Sequence, residues 1–429
     1  MSLVDPDPIG REVGAPSGPL SLAFACPGWP PAAFANGIIS LVAAFTEQMR
    51  RDGHAVTVLS DRGVAGPGED VRVIHDLRRS AHFAGRIADR LVRRASPWHA
   101  DRRQFVRSYH VAIRRLIAER GVQLLEMEEV NGYVRGVRRG LRIPVALRLY
   151  GPWFLNAMDV PADEGFRRRV ESEGWAIRDA FAISSPSLDV LSKTREFYGL
   201  ELPQARVIPN AVAAVPEVLR WSADAADAEE ILFVGRFDRH KGGDVMIDAF
   251  AELARRRPGV RLRFAGPDRG VIDDAGRRWT IEEYAADRLG GDARGRLAWM
   301  GQQPAASLSA CRKKAGVVVV PSRYDNFPTT VLEAMATGCP LVASRAGGIP
   351  EMVEHEVNGL LFESGEPEDL AVQIGRLLDD RGLAIRLGRR ALLESERRYS
   401  LEVMTSRMET FYREVIDAFD RRQGWARSR

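Results

Sequence analysis

Four charged side chains are spaced in ways that suggest chemistry. Asp325 and Glu333 lie eight positions apart in PSRYDNFPTTVLEAMATGCPLVASRAGGIPE, the stretch from Pro321 to Glu351. Eight helical positions span roughly 12 Å, too far for one shared proton-transfer centre but suited to gripping opposite ends of a long ligand. Glu333 is the only charge among Val331, Leu332, Ala334, Met335 and Ala336, so a helix packed on a sheet half-buries it. Such a carboxylate needs donors, and either sugar hydroxyls or an arginine can supply them. The cations are Arg236 and Lys241 in RFDRHKGGD, which with Arg239 crowd a helix start. The positive end of the helix dipole disfavours cations there, and a bound anion resolves the conflict. Gly242 and Gly243 leave room for close approach, and the free N–H groups of a helix start suit a phosphate.

These residues need elements to position them. Val317–Val320 reads as a buried parallel strand, followed by a short helix, Thr330–Thr337, entered at Pro328 and closed by Gly338. Pro340–Ser344 reads as the next strand, and Gly347, Gly348 and Pro350 lead into a further helix start. Ile231–Gly235 opens this half of the chain, with a helix from Val245 to Arg256 and strands at Arg261–Ala265, ending in Gly266, and Leu297–Met300. Glu368–Leu378 and Leu383–Arg398 are covering helices, and Leu401–Phe419 is a long terminal one. The first half alternates in the same way, with strands at Leu22–Cys26, Ala55–Leu59, Val122–Leu125, Pro144–Leu149, Phe181–Ser184 and Arg206–Ile208, and helices at Ile38–Arg51 and Ser185–Tyr198. The loop Pro27–Gly37 falls at a strand's carboxyl end, where such sheets bind ligands. The alternation predicts an α/β fold built on parallel sheets. Residues 1–19 are expected to be a disordered tail, 20–213 the first domain, 214–400 the second and 401–429 a terminal helix, with Pro216–Glu229 as linker.

The stretch around Asp325 and Glu333 resembles the E-x7-E signature of retaining glycosyltransferases of the GT-B architecture, glycosyltransferase family 4 (glycosyl transferases group 1) in particular. Asp325 stands for the first Glu and Glu333 for the second, and RFDRHKGGD matches the G-R-x-x-x-x-K-G segment. Pro209, Asn210 and Ala211 resemble the Pro-Asn-Gly where the chain leaves the first domain. The resemblance covers nearly everything from Leu20 onward, with its specific motifs almost wholly in the second half. It implies a hexosyltransferase that uses a nucleotide diphosphate sugar, with Arg236 and Lys241 on the diphosphate, Glu333 on the ribose and Asp325 on sugar hydroxyls. Asn326, Phe327, Thr329, Thr330, Gly37 and Gly266 would complete the donor site, with Tyr150 and Asn36 on the acceptor or sugar side. It further implies two Rossmann-like, doubly wound domains facing a central cleft, a terminal helix that crosses back onto the first domain, and a glycan, lipid-linked or small-molecule acceptor, as in polysaccharide biosynthesis. The chain departs from the family at three positions. Tyr150 replaces a His and is a poor base near neutral pH, Asp325 is one methylene shorter than Glu, and Pro328 replaces a Gly.

Composition bounds the rest. With 429 residues, 45% hydrophobic and 28% charged, the chain is long enough for two globular cores. No run reaches 18 apolar residues, and residues 1–19 lack a signal-peptide core, so a cytoplasmic setting is expected. Cys26, Cys311 and Cys339 are widely separated and have no metal-ligand spacing, which fits reduced thiols. No catalytic metal and no cofactor beyond the sugar nucleotide are expected. Between Arg78 and Arg120 twelve arginines are interleaved with Phe83, Trp98 and Phe105. The stretch suits either a solvated helical face or a peripheral contact with anionic lipid at the inner membrane face, with Trp98 and Phe105 at the interface. No nucleic-acid recognition motif accompanies the charge. Two rival functions share the fold: a non-catalytic nucleotide-sugar-binding protein and a sugar-nucleotide epimerase.

Overall fold

A computed structural model describes residues 18–34, 36–66, 69–74, 94, 96–157 and 162–427, without the side chains of 424–427. Part of the arginine-rich stretch, including Arg78 and Phe83, and most of the expected N-terminal tail lie outside the described residues.

Seven parallel strands form the first sheet: β1 Ser21–Cys26, β2 Ala55–Ser60, β3 Val71–Val73, β4 Leu124–Glu128, β5 Val145–Arg148, β6 Ala182–Ser185 and β7 Ala205–Val207. Their spatial order is β3-β2-β1-β4-β5-β6-β7, so the direction of winding reverses between β1 and β4. The principal helices here are α1 Gly37–Arg51, α2 Pro97–Arg120, α3 Glu164–Arg178 and α4 Leu188–Tyr198. Asn36 caps α1 by accepting from the Ile38 N–H at 2.8 Å, and Ser187 caps α4.

The second sheet takes β8 Asp227–Val234, β9 Arg261–Ala265, β12 Leu297–Trp299, β13 Ala315–Val320, β14 Leu341–Ser344 and β15 Leu360–Phe362, beside a small hairpin, β10 Val271–Ile272 with β11 Arg278–Trp279. Its order, β12-β9-β8-β13-β14-β15, is again doubly wound, with reversal between β8 and β13. Helices α5 Gly243–Arg256, α6 Ala305–Lys314, α7 Thr329–Thr337, α8 Pro367–Asp379 and α9 Arg381–Arg398 cover it, and α10 Leu401–Arg427 ends the chain. Every residue of β13 is buried, as the run of valines predicts.

Helix α10 crosses back to the first domain, where Met404, Met408, Phe411 and Tyr412 pack with Leu22, Phe24 and Phe45. The fully buried Arg148 ties this layer together by donating to the Ile208 carbonyl and the Asn210 Oδ1 at 3.1 and 2.8 Å. Three expectations change. Strand β4 does not stop at Leu125 but runs through two glutamates, because buried Glu126 accepts from the Tyr412 hydroxyl at 2.7 Å. Directly after Gly347 and Gly348 there is a 3-10 turn, Ile349–Glu351, in place of the expected α-helix start. Phe105 does not face a membrane: it stacks on Tyr133 at 3.9 Å within the first core.

Candidate active site

The site is built where each sheet reverses. Past β8 the chain turns through Arg236–Lys241, and past β13 through Pro321–Phe327, so the two motifs meet at the carboxyl edge of the second sheet. Gly242 lets them approach: it has φ of +70°, and a Cβ there would fall 2.0 Å from the Pro321 carbonyl oxygen. Buried Asp238 shapes the first turn, accepting from the Lys241 N–H at 2.7 Å and from Arg236 Nε at 2.5 Å. Arg239 turns outward to Asp274, leaving Arg236 and Lys241 as the cations of the turn. Helix α5 starts at Gly242 without a side-chain cap, and Asp244 in its first turn is held by both terminal nitrogens of Arg323.

Lys241 Nζ donates to Asp325 Oδ2 at 2.5 Å, which brings the cation of one motif onto the first carboxylate of the other. Glu333, one turn into α7, is paired with the buried Arg312 of α6 while keeping 38% of its side-chain surface exposed. The arginine partner and an accessible face therefore coexist. Thr329 and Thr330 begin α7, whose cap residue Pro328 offers no side-chain acceptor, so the first N–H groups of that helix lack a side-chain cap. Opposite them stands the start of α1: a Cβ on Gly37 would lie 3.8 Å from Thr329 Oγ1.

Other residues expected at the site also make structural contacts. The Asn326 amide donates to the Tyr150 carbonyl at 2.8 Å and to Asn156 Oδ1 at 3.1 Å, bridging the domains. Phe327 is buried against Tyr399, with ring centroids 5.7 Å apart. Asn36 is committed to its cap. Gly266 is needed for close strand crossing, since a Cβ there would meet the Gly235 carbonyl at 1.8 Å. Tyr150 lies over the Arg148 guanidinium at 5.6 Å, and burial followed by the Glu126 charge pushes its hydroxyl well above the ordinary tyrosine value. It is no base at neutral pH.

Several groups escaped the sequence reading. His240 is buried with both ring nitrogens unbonded, and burial together with Lys241 lowers it to about 4. Glu129, pushed up to about 8 by burial and then by Glu173, accepts from the Tyr150 and Gly151 N–H groups and so fixes the loop that touches Asn326. Glu351 accepts at 2.8 Å from both Leu188 N and Asp189 N, seating the second domain on the start of α4. Consecutive glutamates at the end of an apolar strand, LLEMEE, were the available signal for the first-domain carboxylates. Among the described residues no group of three or more His, Cys, Asp or Glu side chains could hold a metal ion, and no helix is long and apolar enough to cross a membrane.

Residues 218–393 match the family model described as Glycosyl transferases group 1. A D-inositol 3-phosphate glycosyltransferase of Corynebacterium efficiens is 35% identical over 196 residues, 44% of each chain. A glycogen synthase of Mycobacterium tuberculosis is 32% identical over 226 residues, 51% of this chain and 50% of that one. The alignments thus span about half the length of these curated relatives. Among solved structures, sucrose-phosphate synthase from Thermosynechococcus elongatus superposes with a TM-score of 0.69 at 21% identity, covering 93% of this chain and all of that one. Anabaena HepE in complex with UDP-glucose gives 0.64 at 17% identity, covering 93% and 100%. The chain has the two-domain GT-B fold, and its second domain is a glycosyl transferases group 1 domain.

Proposed function

We propose that the chain is a retaining glycosyltransferase of family 4 type that moves a sugar from a nucleotide diphosphate donor to a hydroxyl acceptor without a catalytic metal. One observation carries the reading: Arg236, Lys241 and Asp325 meet between the starts of α5 and α7 at the switch point of the second sheet. Two cations and two uncapped helix starts match a diphosphate, and Asp325 beside them matches the hydroxyls of the attached sugar. Glu333 takes the ribose with its exposed face while Arg312 holds its other side. The complexes of HepE with UDP and with UDP-glucose make UDP-sugars the first donors to try.

Retention follows from which groups can move a proton. Inverting transfer wants a base opposite the leaving group, and the first domain presents Tyr150, whose hydroxyl does not ionise near neutrality. In the proposed step the sugar–oxygen bond to the diphosphate breaks early, and Arg236, Lys241 and the helix starts stabilise the charge that develops. The departing phosphate oxygen then accepts the acceptor's proton as the acceptor oxygen bonds to the anomeric carbon on the same face. Asp325 orients the ring and forms no covalent bond to it.

Incubation with a panel of nucleotide sugars tests this by NMR of the products. Transfer or slow hydrolysis that keeps the donor's anomeric configuration, unaffected by a chelator, is expected. An isomerised donor would establish the epimerase and absence of turnover the binding protein. An inverted product would overturn the mechanism and point to Glu128, which burial pushes up to about 7 at the edge of the first sheet.

A further inference from the structure

Two buried carboxylates lie beneath the loop that meets the second domain, and the mechanism above uses neither. Glu129 follows β4 directly and Glu173 lies on α3. Together they take every backbone N–H of the loop 150–153. Glu129 accepts from the Tyr150 N–H at 3.0 Å and the Gly151 N–H at 2.8 Å, Glu173 accepts from the Trp153 N–H at 2.8 Å, and Pro152 has none. The loop's carbonyls go to amides. Tyr150 accepts from Asn326 of the second domain at 2.8 Å, and Gly151 accepts from Asn156 at 2.7 Å. The approach is close: Gly151 has φ of +125°, and a Cβ there would fall 2.0 Å from Asn326 Nδ2. A relay of contacts thus runs from Glu129 through the loop to Asn326, whose chain neighbour Asp325 meets Lys241.

Charge is what gives this relay a setting. The groups facing Glu129 are Glu173 and Arg169 of α3, Tyr198 of α4, Tyr150 past β5 and Glu128 beside it. Arg169 donates its Nε to Glu173 at 3.0 Å, and Arg102 of α2 donates to the Asn131 and Gly132 carbonyls and to Ser172. No guanidinium is bonded to Glu129 among the described residues. Burial, and next the Glu173 charge, push Glu129 up to about 8, and burial raises Glu173 as well, so the pair carries a proton near neutrality. A proton on Glu129 turns its two charge-assisted N–H bonds into neutral ones, roughly half as strong.

We propose that Glu129 is a positioning residue for transfer: its carboxylate holds the Tyr150–Gly151 turn against Asn326 and thereby sets Asp325 for the sugar. The word transfer rests on the reading above; the relay from Glu129 to Asn326 does not.

Glu129→Gln puts an amide group where the loop needs an acceptor. It is compared with wild type, Asn326→Ala and the double variant by UDP-glucose turnover, UDP calorimetry and hydrogen-exchange mass spectrometry on the full chain. In wild type kcat should rise with pH through about 8. Glu129→Gln should lose that rise and about tenfold in kcat, with UDP affinity and circular dichroism unchanged. Asn326→Ala should lose a similar factor and the double variant little more, because both act through one loop. Exchange in Glu129→Gln should quicken at 149–153 and, across the seam, at 324–328. A pH rise that persists in Glu129→Gln, additive losses, or exchange quickened at 149–153 alone would overturn the proposal. Should Glu129→Gln not fold, Asn326→Ala carries the test, since unchanged exchange at 149–153 in that variant would equally overturn it. If wild type turns over no nucleotide sugar while exchange quickens in both segments, the transferase reading falls and the relay stands.

Discussion

Lys241 has two partners in this account: Asp325 Oδ2 at 2.5 Å in the structure, and the diphosphate in the reaction. Asp325 is thus placed to hold Lys241 in position before the donor arrives and the sugar ring afterwards. Asp325→Ala should reduce turnover at least tenfold while nucleoside diphosphate affinity stays nearly intact, measured as kcat against calorimetric Kd. A glycosyl ester trapped on Asp325 would contradict its orienting role. His240 gives the site a pH signature. Its imidazole, lowered on folding to about 4, is protonated first in the unfolded chain. Between about pH 6.5 and 4 the unfolded state therefore binds more protons, and stability falls as pH drops through that window, by on the order of 3 kcal/mol at its end. Urea unfolding at neutral pH and at about pH 4 should show a smaller loss in His240→Gln than in wild type. Equal losses would show that His240 does not set this dependence.

At the scale of elements, most of what positions the site was legible because it is local. Four valines make a buried strand, Gly338 ends a helix in the left-handed region with φ of +75°, and RFDRHKGGD opens α5 as expected. The misreadings are places where a distant partner overrides local preference. β4 extends through Glu126 because Tyr412, 286 residues away in sequence, reaches its carboxyl. Asn326 and Phe327, inside the signature stretch, make contacts that sequence could not show, since Tyr150 and Tyr399 are remote from them along the chain. β3 and β15, three residues each, went unread. The Tyr412–Glu126 bond is a buried polar anchor of α10 on the first sheet. Burial raises the Glu126 carboxyl, and Tyr412→Phe would leave that carboxyl buried without its hydroxyl donor. The variant should unfold with about 1–3 kcal/mol less stability in urea. An unchanged midpoint would mean that this bond does not stabilise the packing of the helix.

On the scale of the whole molecule, function depends on how the two domains meet. Glu351 on the start of α4, Tyr324 on Asp189 at 2.8 Å and Asn326 on Tyr150 form a polar seam beside the site. Its purpose in this account is to set the start of α1 opposite that of α7 with the donor between them. Glu351→Ala should loosen the seam, raising the radius of gyration in X-ray scattering and KM for the donor, with each domain still folded. Unchanged scattering and KM would show that the interface needs no such bond. The central claim is that Arg236 and Lys241 hold a donor diphosphate, and titration calorimetry tests it most directly. A thermal-shift screen of UDP, GDP and ADP first selects the nucleotide, which is then titrated into wild type and Lys241→Ala. Loss of one charge-assisted contact, worth about 1.5–3 kcal/mol, predicts at least tenfold weaker binding in the variant. Equal affinity in the two proteins would contradict the account.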